Sequence, residues 1–319
     1  MPTTASGSFS KIFNFDGSST YTDITLNVQA LNNTAVTIFN SSAHYLYLGN
    51  TEKFDMAIFD IDTLGSLGAL TWEFSNGSNW TQFTPSIDRE EPDGTAYGFA
   101  EDGAESFAPH LLTDWATLTV NSVNIYWVRV TAASVSTSPT VKRIQMRALN
   151  AYATTKEVFE FLQLQGVYST PTSSITDFTT STIPSKKSVQ AYIAGAQSEI
   201  DYKTRKSWRP NVAYNEHYDF NFMGIRLNRR GAKRIFKVQI WEGDSYGTLT
   251  EGRNNEYFFN PDTGIVYFSR YFFLPARFGS FQSLAARYGG GEFIAPVRIS
   301  YQYGENVNVD SREGGYVHE

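Results

Sequence analysis

The feature that most constrains the fold is the spacing of short apolar segments over residues 8–147. Segments rich in β-branched and aromatic side chains recur about every ten residues and are separated by polar turns. This rhythm is typical of an antiparallel β-sandwich. The segments span residues 12–15, 22–28, 35–39, 44–48, 53–59, 70–74, 79–83, 123–130 and 141–146.

Three of these segments allow more specific predictions. Segments 70–74 and 79–83 flank the turn Ser75-Asn76-Gly77-Ser78, which predicts a β-hairpin. Segment 123–130 is dense in apolar residues, which favours a central strand. We expect segment 141–146 to form an edge strand.

The pattern changes to a helical one after residue 147. Thr154 and Glu157 have the spacing of a capping box, in which each side chain bonds to the other residue's backbone N–H. We expect Val158, Phe161 and Leu162 to form the apolar face of a short helix that ends near residue 166.

A second helix is predicted to begin near Ser185 and to end near Trp208 and Pro210. Its predicted apolar stripe follows steps of four, three and four residues, which is the spacing of one helix face. The stripe consists of Val189, Ile193, Ala196 and Ile200.

From residue 214 the chain returns to strand patterns, at residues 216–222, 235–241, 256–259, 264–268 and 296–303. The fold class we predict is α+β and mainly β. Residues 1–147 form a β-sandwich domain, and residues 148–319 form a second domain with two or more helices and a β-rich extension. Residues 305–319 contain few apolar side chains, so we expect an extended C-terminal tail.

Composition excludes several kinds of chemistry. The chain has no cysteine, which rules out disulfides, thiolate metal sites, iron–sulfur clusters and thiol nucleophiles. The four histidines have no metal-ligand spacing, and no phosphate-binding or nucleophile motif is present. We therefore expect no catalytic residue, no metal and no cofactor. No signal peptide and no apolar run of about 20 residues is present, so we expect no membrane contact.

Charge is distributed unevenly along a chain whose net charge is −6. A chain that is acidic on the whole is not expected to bind DNA or RNA freely. However, the stretch RLNRRGAKRIFK contains six cations: Arg226, Arg229, Arg230, Lys233, Arg234 and Lys237. This basic strip is either an ordinary solvated turn or a contact with an acidic partner subunit or DNA phosphate.

The high aromatic content has two interpretations. Tryptophan rings stack on the flat faces of sugars, and Trp72, Trp80, Trp115 and Trp127 are candidates for such contacts. Aromatic residues on alternating strands more often build the core, and we favour core packing for these four as a set.

Two segments resemble the head-to-tail connector (adaptor, or head-completion) proteins of tailed bacteriophages. They are TTKEVFEFLQL and VQAYIAGAQSEIDYKTRKSWRP, and the later phrases NNEYFFNPDTGIVYF and VRISYQYG are similar to strands of larger adaptors. The resemblance covers about residues 150–304. The matching residues are Thr154, Glu157, Val158, Leu162, Ile193, Ala196, Ile200, Asp201, Thr204, Arg205 and Trp208. The first 147 residues are similar to β-sandwich modules of phage neck, baseplate and tail proteins.

The resemblance implies a structural virion protein and no enzyme. Copies, typically twelve, would form a ring under the portal protein that extends the DNA channel and docks the next neck or tail terminator component. DNA would pass through without sequence-specific binding. The protein would lie in the virion neck, and in the host cytoplasm during assembly.

The same resemblance implies roles for individual residues. The candidates for channel or intersubunit contacts are Glu199, Asp201, Lys203 and Lys206. The candidate portal-docking tail contains Asn306, Val309 and Tyr316. The alternative is a baseplate or tail-fibre protein whose β-sandwich binds host-surface glycans.

Overall fold

The computed structural model describes residues 7–29, 34–85, 98–107, 112, 114–150, 152–164, 175–221, 224–241, 245–269 and 296–304. Strands account for 46% of the structure and helices for 11%, and the sheets are antiparallel. The predicted fold class, α+β and mainly β, is confirmed.

Contacts divide the chain into two compact units, one over Met1–Lys203 with Asn306–Glu319 and one over Thr204–Glu305. The boundary between these units falls at the end of the second helix, between Lys203 and Thr204. The domain boundary at residues 147–148 stays a prediction.

The strands of the first unit are β1 (Lys11–Phe15), β2 (Tyr21–Asp23), β3 (Val36–Thr37), β4 (Tyr45–Asn50), β5 (Phe54–Thr63), β6 (Ser66–Leu67), β7 (Leu70–Ser75), β8 (Trp80–Phe83), β9 (Gly103–Ser106), β10 (Thr117–Val120), β11 (Val123–Ala132), β12 (Val135–Thr137) and β13 (Thr140–Ala148). Its helices are α1 (Thr155–Phe161) and α2 (Lys186–Thr204), the latter ending at the boundary with the second unit.

The largest sheet has the order β2-β1-β4-β11-β7-β8, with β10 paired to β11. The predicted hairpin is confirmed as β7–β8, and β11 is a central strand as predicted. A second sheet has the order β3-β13-β5-β9, and a short pair joins β12 to β6. The prediction of an edge strand at 141–146 was wrong, because β13 pairs with β3 on one side and β5 on the other.

One buried hydrophobic cluster draws on both larger sheets. Alternate residues of each strand point into it, as the two-residue period of a strand requires. Its members include Ile12, Leu48 and Val130 from the first sheet and Phe59 and Ile144 from the second. The apolar alternation in the sequence therefore marks the core side of these strands.

The capping box at the start of α1 is confirmed, since Thr154 and Glu157 bond reciprocally. The predicted apolar face of α1 was wrong. Phe159 is the buried residue and packs edge-on against Phe178 at 5.1 Å, whereas Phe161 is 84% exposed. Leu162 is exposed as well, and Val158 is partly buried.

The buried stripe of α2 also differs from the predicted one. It advances in steps of four throughout, through Val189, Ile193, Gln197 and Asp201. Ala196 and Ile200 are exposed instead. The polar residues are buried because they bond to the segment before α1. Gln197 Nε2 donates to the Leu149 carbonyl at 2.8 Å, and Gln197 Oε1 accepts from the Tyr152 backbone N–H at 2.7 Å.

The second unit contains β14 (Asn211–Tyr218), β15 (Ile225–Arg226), β16 (Ala232–Trp241), β17 (Tyr246–Thr248), β18 (Tyr257–Asn260), β19 (Ile265–Phe268) and β20 (Val297–Tyr303). Its sheets have the orders β14-β20-β16-β17 and β15-β19-β18, and residues of both contribute to one core. The turn at residues 261–264 joins β18 to β19, with Gly264 at φ +64° and its N–H bonded to the Asn260 carbonyl.

Candidate functional site

The basic strip of the sequence is split between a loop and a strand. Arg226 ends β15, Arg229 and Arg230 lie in the loop before β16, and the other three cations lie in β16. The pairing of β16 with β20 shifts register between Ala232 and Arg234 and again between Ile235 and Lys237. Because of these irregularities, the six cations do not form one continuous row.

A half-buried carboxylate, that of Glu216, fixes the loop that contains Arg229. Glu216 Oε2 accepts hydrogen bonds from the hydroxyls of Tyr218 at 2.6 Å and Tyr301 at 2.7 Å, and Glu216 Oε1 accepts from Arg229 Nε at 3.2 Å. The two hydroxyls in turn accept from the backbone N–H groups of Asn228 and Arg229, both at 3.1 Å. Burial raises the pKa of both tyrosines, so both stay protonated donors. The loop backbone is thereby held against the sheet.

A second basic segment meets this loop. The backbone N–H of Arg230 donates to the carbonyl of Arg205 at 2.9 Å, which joins the segment after α2 to the loop. Arg205 has φ +51°, in the left-handed region. The next residue, Lys206, places its ammonium 5.2 Å from the centre of the Trp208 ring. Sequence reasoning did not assign Arg205 to the basic strip. The basic run KTRK at 203–206 was the signal that could have suggested it.

The cations of this region fall into two groups. Arg205, Arg226, Arg230 and Lys233 are exposed, and within the described part of the chain their side chains form no ion pair. Arg229 is paired with Glu216, and the half-buried Arg234 guanidinium lies 5.1 Å from the Phe236 ring centre. Of the four exposed cations, Arg205 and Arg230 are joined by their backbones, and we call this pair the basic patch.

The residues proposed for channel or intersubunit contacts are in different environments. Glu199 and Lys203 are exposed and form an ion pair at 2.6 Å along α2. Asp201 is buried and accepts a hydrogen bond from the Tyr152 hydroxyl. Within the chain, Asp201 therefore holds α2 against the segment before α1, and its contact with a channel or neighbour stays a prediction. Lys206 belongs to the second unit.

The helical part of the first unit exposes large apolar side chains. On α2, Tyr192 is 72% exposed and Tyr202 is 76% exposed, and Ile200 is also exposed. Phe161 and Ile183, outside α2, are more exposed still. Most of these side chains were not marked by sequence reasoning, which expected Phe161 and Ile200 to be buried.

The four candidate tryptophans differ in how deeply they are buried. Trp72, Trp115 and Trp127 are buried, which confirms core packing for these three. Trp80 is half-buried, on the sheet face opposite the main core. There the Arg129 guanidinium lies between the rings of Trp80 and Tyr45, at 4.3 and 4.6 Å from their centres. Arg129 Nε also donates to Glu73 at 2.7 Å.

The aromatic face of this sheet consists of Tyr45, Tyr47, Trp80 and Trp127, and contacts between the rings stabilise it. Tyr47 packs edge-on against Trp80 at 5.4 Å and against Trp127 at 6.3 Å. Burial raises the pKa of Tyr47 to about 12, so its hydroxyl is neutral, and it accepts from Arg129 at 3.3 Å. Trp80 and Tyr45 are the two rings around Arg129 that keep partial exposure.

Other candidate residues lie outside the described residues, namely Asn306, Val309 and Tyr316 of the predicted portal-docking tail. Among the residues that the structure does describe, no three His, Asp or Glu side chains are close enough to hold a metal ion. Neither described helix combines the length and the apolar character that crossing a bilayer needs.

Comparisons with protein-family models, with curated proteins and with solved structures returned no match, so the functional argument depends on the surfaces described above.

Proposed function

We propose that the protein is a structural component of a phage virion: a head-to-tail adaptor whose copies form a ring under the portal protein. The ring, typically of twelve copies, extends the DNA channel and docks the next neck or tail component. This proposal starts from the resemblance of residues 150–304 to adaptor proteins.

The observation that best supports it is the exposed aromatic and apolar surface of the helical part. Monomeric proteins expose single apolar residues routinely, but several large ones on one helical region mark an interaction surface. Tyr192 and Tyr202 each combine an apolar ring with a hydroxyl, and tyrosine is enriched at protein interfaces for this reason. The exposed Glu199–Lys203 pair adds charge of both signs to the same helix.

Ring closure places a specific demand on such a surface. In a ring, each copy uses one patch to contact a different patch on its neighbour, and the same rotation is repeated around the axis. A single exposed helix face can supply one of the two patches. We propose that α2 supplies it, and that the complementary patch lies elsewhere on the next copy.

The test uses full-length protein with and without the portal protein. Negative-stain imaging and light scattering should show rings on portal in the wild type. The double variant Tyr192→Ser/Tyr202→Ser should lose rings while keeping its circular dichroism and melting temperature. The control is Leu64→Ser, which removes an exposed apolar side chain from the β5–β6 connection. Absence of rings in the wild type with portal present, or rings unaffected by the double variant, would count against the proposal.

The half-exposed Trp80 favours a second candidate function, that of a baseplate or tail-fibre protein binding host-surface glycans. Trp80 and Tyr45 offer rings for a sugar face, and Arg129 and Glu73 offer a donor and an acceptor beside them. On a glycan array this candidate predicts saturable binding that Trp80→Ala abolishes. Trp208→Ala, a half-buried tryptophan of the other unit, is the matched control. An array without signal argues against it.

A further inference from the structure

The two units differ strongly in charge. Residues 204–305 contain 14 lysines and arginines and nine aspartates and glutamates, a formal net charge of +5. The rest of the chain contains 12 and 23, a net charge of −11. The whole-chain charge of −6 therefore hides a basic unit, and a charge asymmetry of this kind is a property of nucleic-acid-binding proteins.

From this asymmetry and the geometry of the basic patch, we infer that the second unit binds the phosphate backbone of duplex DNA through Arg205 and Arg230. The inference goes beyond the proposed adaptor function, which requires only that DNA passes through. It does not depend on ring formation, because both cations belong to one unit of one chain.

The patch is built before any ligand arrives. The Arg230 N–H bond to the Arg205 carbonyl fixes the two backbones next to each other, and the tyrosine–Glu216 network fixes the preceding residues. Glu216, the carboxylate of this network, is already bonded to two hydroxyls and to Arg229. The exposed guanidinium groups of Arg205 and Arg230 therefore remain available, and a guanidinium can bind a phosphate through two hydrogen bonds.

The surroundings of the patch favour phosphate over an acidic protein partner. A protein interface needs an apolar centre in addition to charge. Among the residues that the structure describes, the second unit exposes one large hydrophobic side chain, that of Tyr267 at 37%, whereas the first unit exposes eight such side chains. Contacts to a phosphate backbone need cations and polar donors and no apolar centre.

The experiment measures binding of full-length protein to a fluorescent 30-base-pair duplex by anisotropy, between 50 and 200 mM salt. Two sequences of equal length should bind equally, since phosphate contacts carry no sequence information. Each phosphate contact should weaken binding by about 3- to 4-fold over this fourfold rise in salt. Arg205→Gln and Arg230→Gln should each reduce the slope of log affinity against log salt by about 1.

The matched control is Arg253→Gln, which removes an exposed arginine of the same unit whose guanidinium lies 5.3 Å from the Phe258 ring centre. Its slope should equal that of the wild type. The inference is overturned if the wild type does not bind the duplex at 50 mM salt, or if Arg253→Gln has the same effect as Arg205→Gln. Competition of the duplex by polyglutamate at equal charge concentration would also overturn it, in favour of an acidic protein partner. Melting curves of all variants confirm that the fold is retained.

Discussion

Gly49 tests the packing of the aromatic sheet face most directly. It lies in β4 opposite Trp127 of β11, and the Trp127 ring lies across the space where a side chain would be. A Cβ added at residue 49 would overlap ring carbons of Trp127 and would lie 2.7 Å from Ile125 Cδ1, whereas ordinary contacts are 3.4–4 Å. We therefore expect Gly49→Ala to force the indole out of its position.

The cost can be worked out from the contacts of Trp127. Forcing extra volume into a packed site costs about 1–3 kcal/mol. Moving the ring also strains the bond from Trp127 Nε1 to the Leu118 carbonyl, at 2.9 Å, which contributes about 1 kcal/mol. Replacing glycine lowers the conformational entropy of the unfolded chain, which offsets this loss of stability by about 0.5–1 kcal/mol. The expected loss in free energy of unfolding is about 1–3 kcal/mol.

Urea unfolding followed by tryptophan fluorescence measures this loss, as a fall of about 1 M in the midpoint. The control is Gly195→Ala on α2, where an added Cβ meets nothing within 4 Å. That change should stabilise the protein by about 0.5–1 kcal/mol. A neutral or stabilising Gly49→Ala would show that Trp127 does not lie across β4. In that case the packing assigned to the aromatic face would be incorrect.

Two substitutions and one titration test the cap of α1, the tyrosine network and the turn at Asp16. Thr154→Ala removes the hydroxyl that accepts the Glu157 backbone N–H in the capping box and should cost about 1 kcal/mol of unfolding free energy in thermal melts. Tyr301→Phe takes one donor from the half-buried Glu216 and one acceptor from the Arg229 N–H, and should cost about 1–3 kcal/mol, whereas Tyr267→Phe at an exposed site should change nothing measurable. The backbone N–H groups of Thr20, Ser18 and Ser19 hold the pKa of Asp16 well below its usual range. Because the folded pKa lies below the unfolded one, the stabilisation by Asp16 is present above about pH 4 and is lost as the pH falls through the folded pKa. Carboxyl titration by NMR should show Asp16 still ionised at pH 3, and a midpoint near pH 4 would refute this.

Sequence patterns correctly predicted the features that depend on residues close together in the chain. The β7–β8 hairpin follows from its turn, in which Asn76 Oδ1 accepts the backbone N–H of Asn79 at 2.7 Å. The capping box follows from a spacing of three residues. The run of apolar residues in β11 reflects burial on both faces, because Val128 and Val130 lie in one hydrophobic cluster and Ile125 and Trp127 lie in another. These features needed no knowledge of distant parts of the chain.

Long-range contacts explain what the sequence pattern missed. The helix periodicity indicated Ala196 and Ile200 as buried, but the side of α2 that packs against the segment before α1 carries Gln197 and Asp201. Gln197 bonds to the Leu149 carbonyl and the Tyr152 backbone N–H, and Asp201 accepts from the Tyr152 hydroxyl, so these polar residues occupy the buried positions. Likewise, Arg205 and Arg230 are 25 residues apart and meet through one backbone bond. No spacing rule within a single segment indicates that pairing.

The two proposed contacts differ in physical origin, and salt should therefore separate them. The α2 surface exposes tyrosines and an isoleucine, so a contact made there gains free energy from apolar burial, which salt does not screen. Binding of DNA phosphate by the basic patch releases counterions, so the affinity for DNA must fall steeply as the salt concentration rises. In a mixture of protein, portal and duplex DNA, raising salt from 50 to 300 mM should release the duplex while rings remain on portal. Rings that dissociate together with the duplex would mean that the α2 contact is electrostatic, and Glu199 and Lys203 would then be the residues to change first.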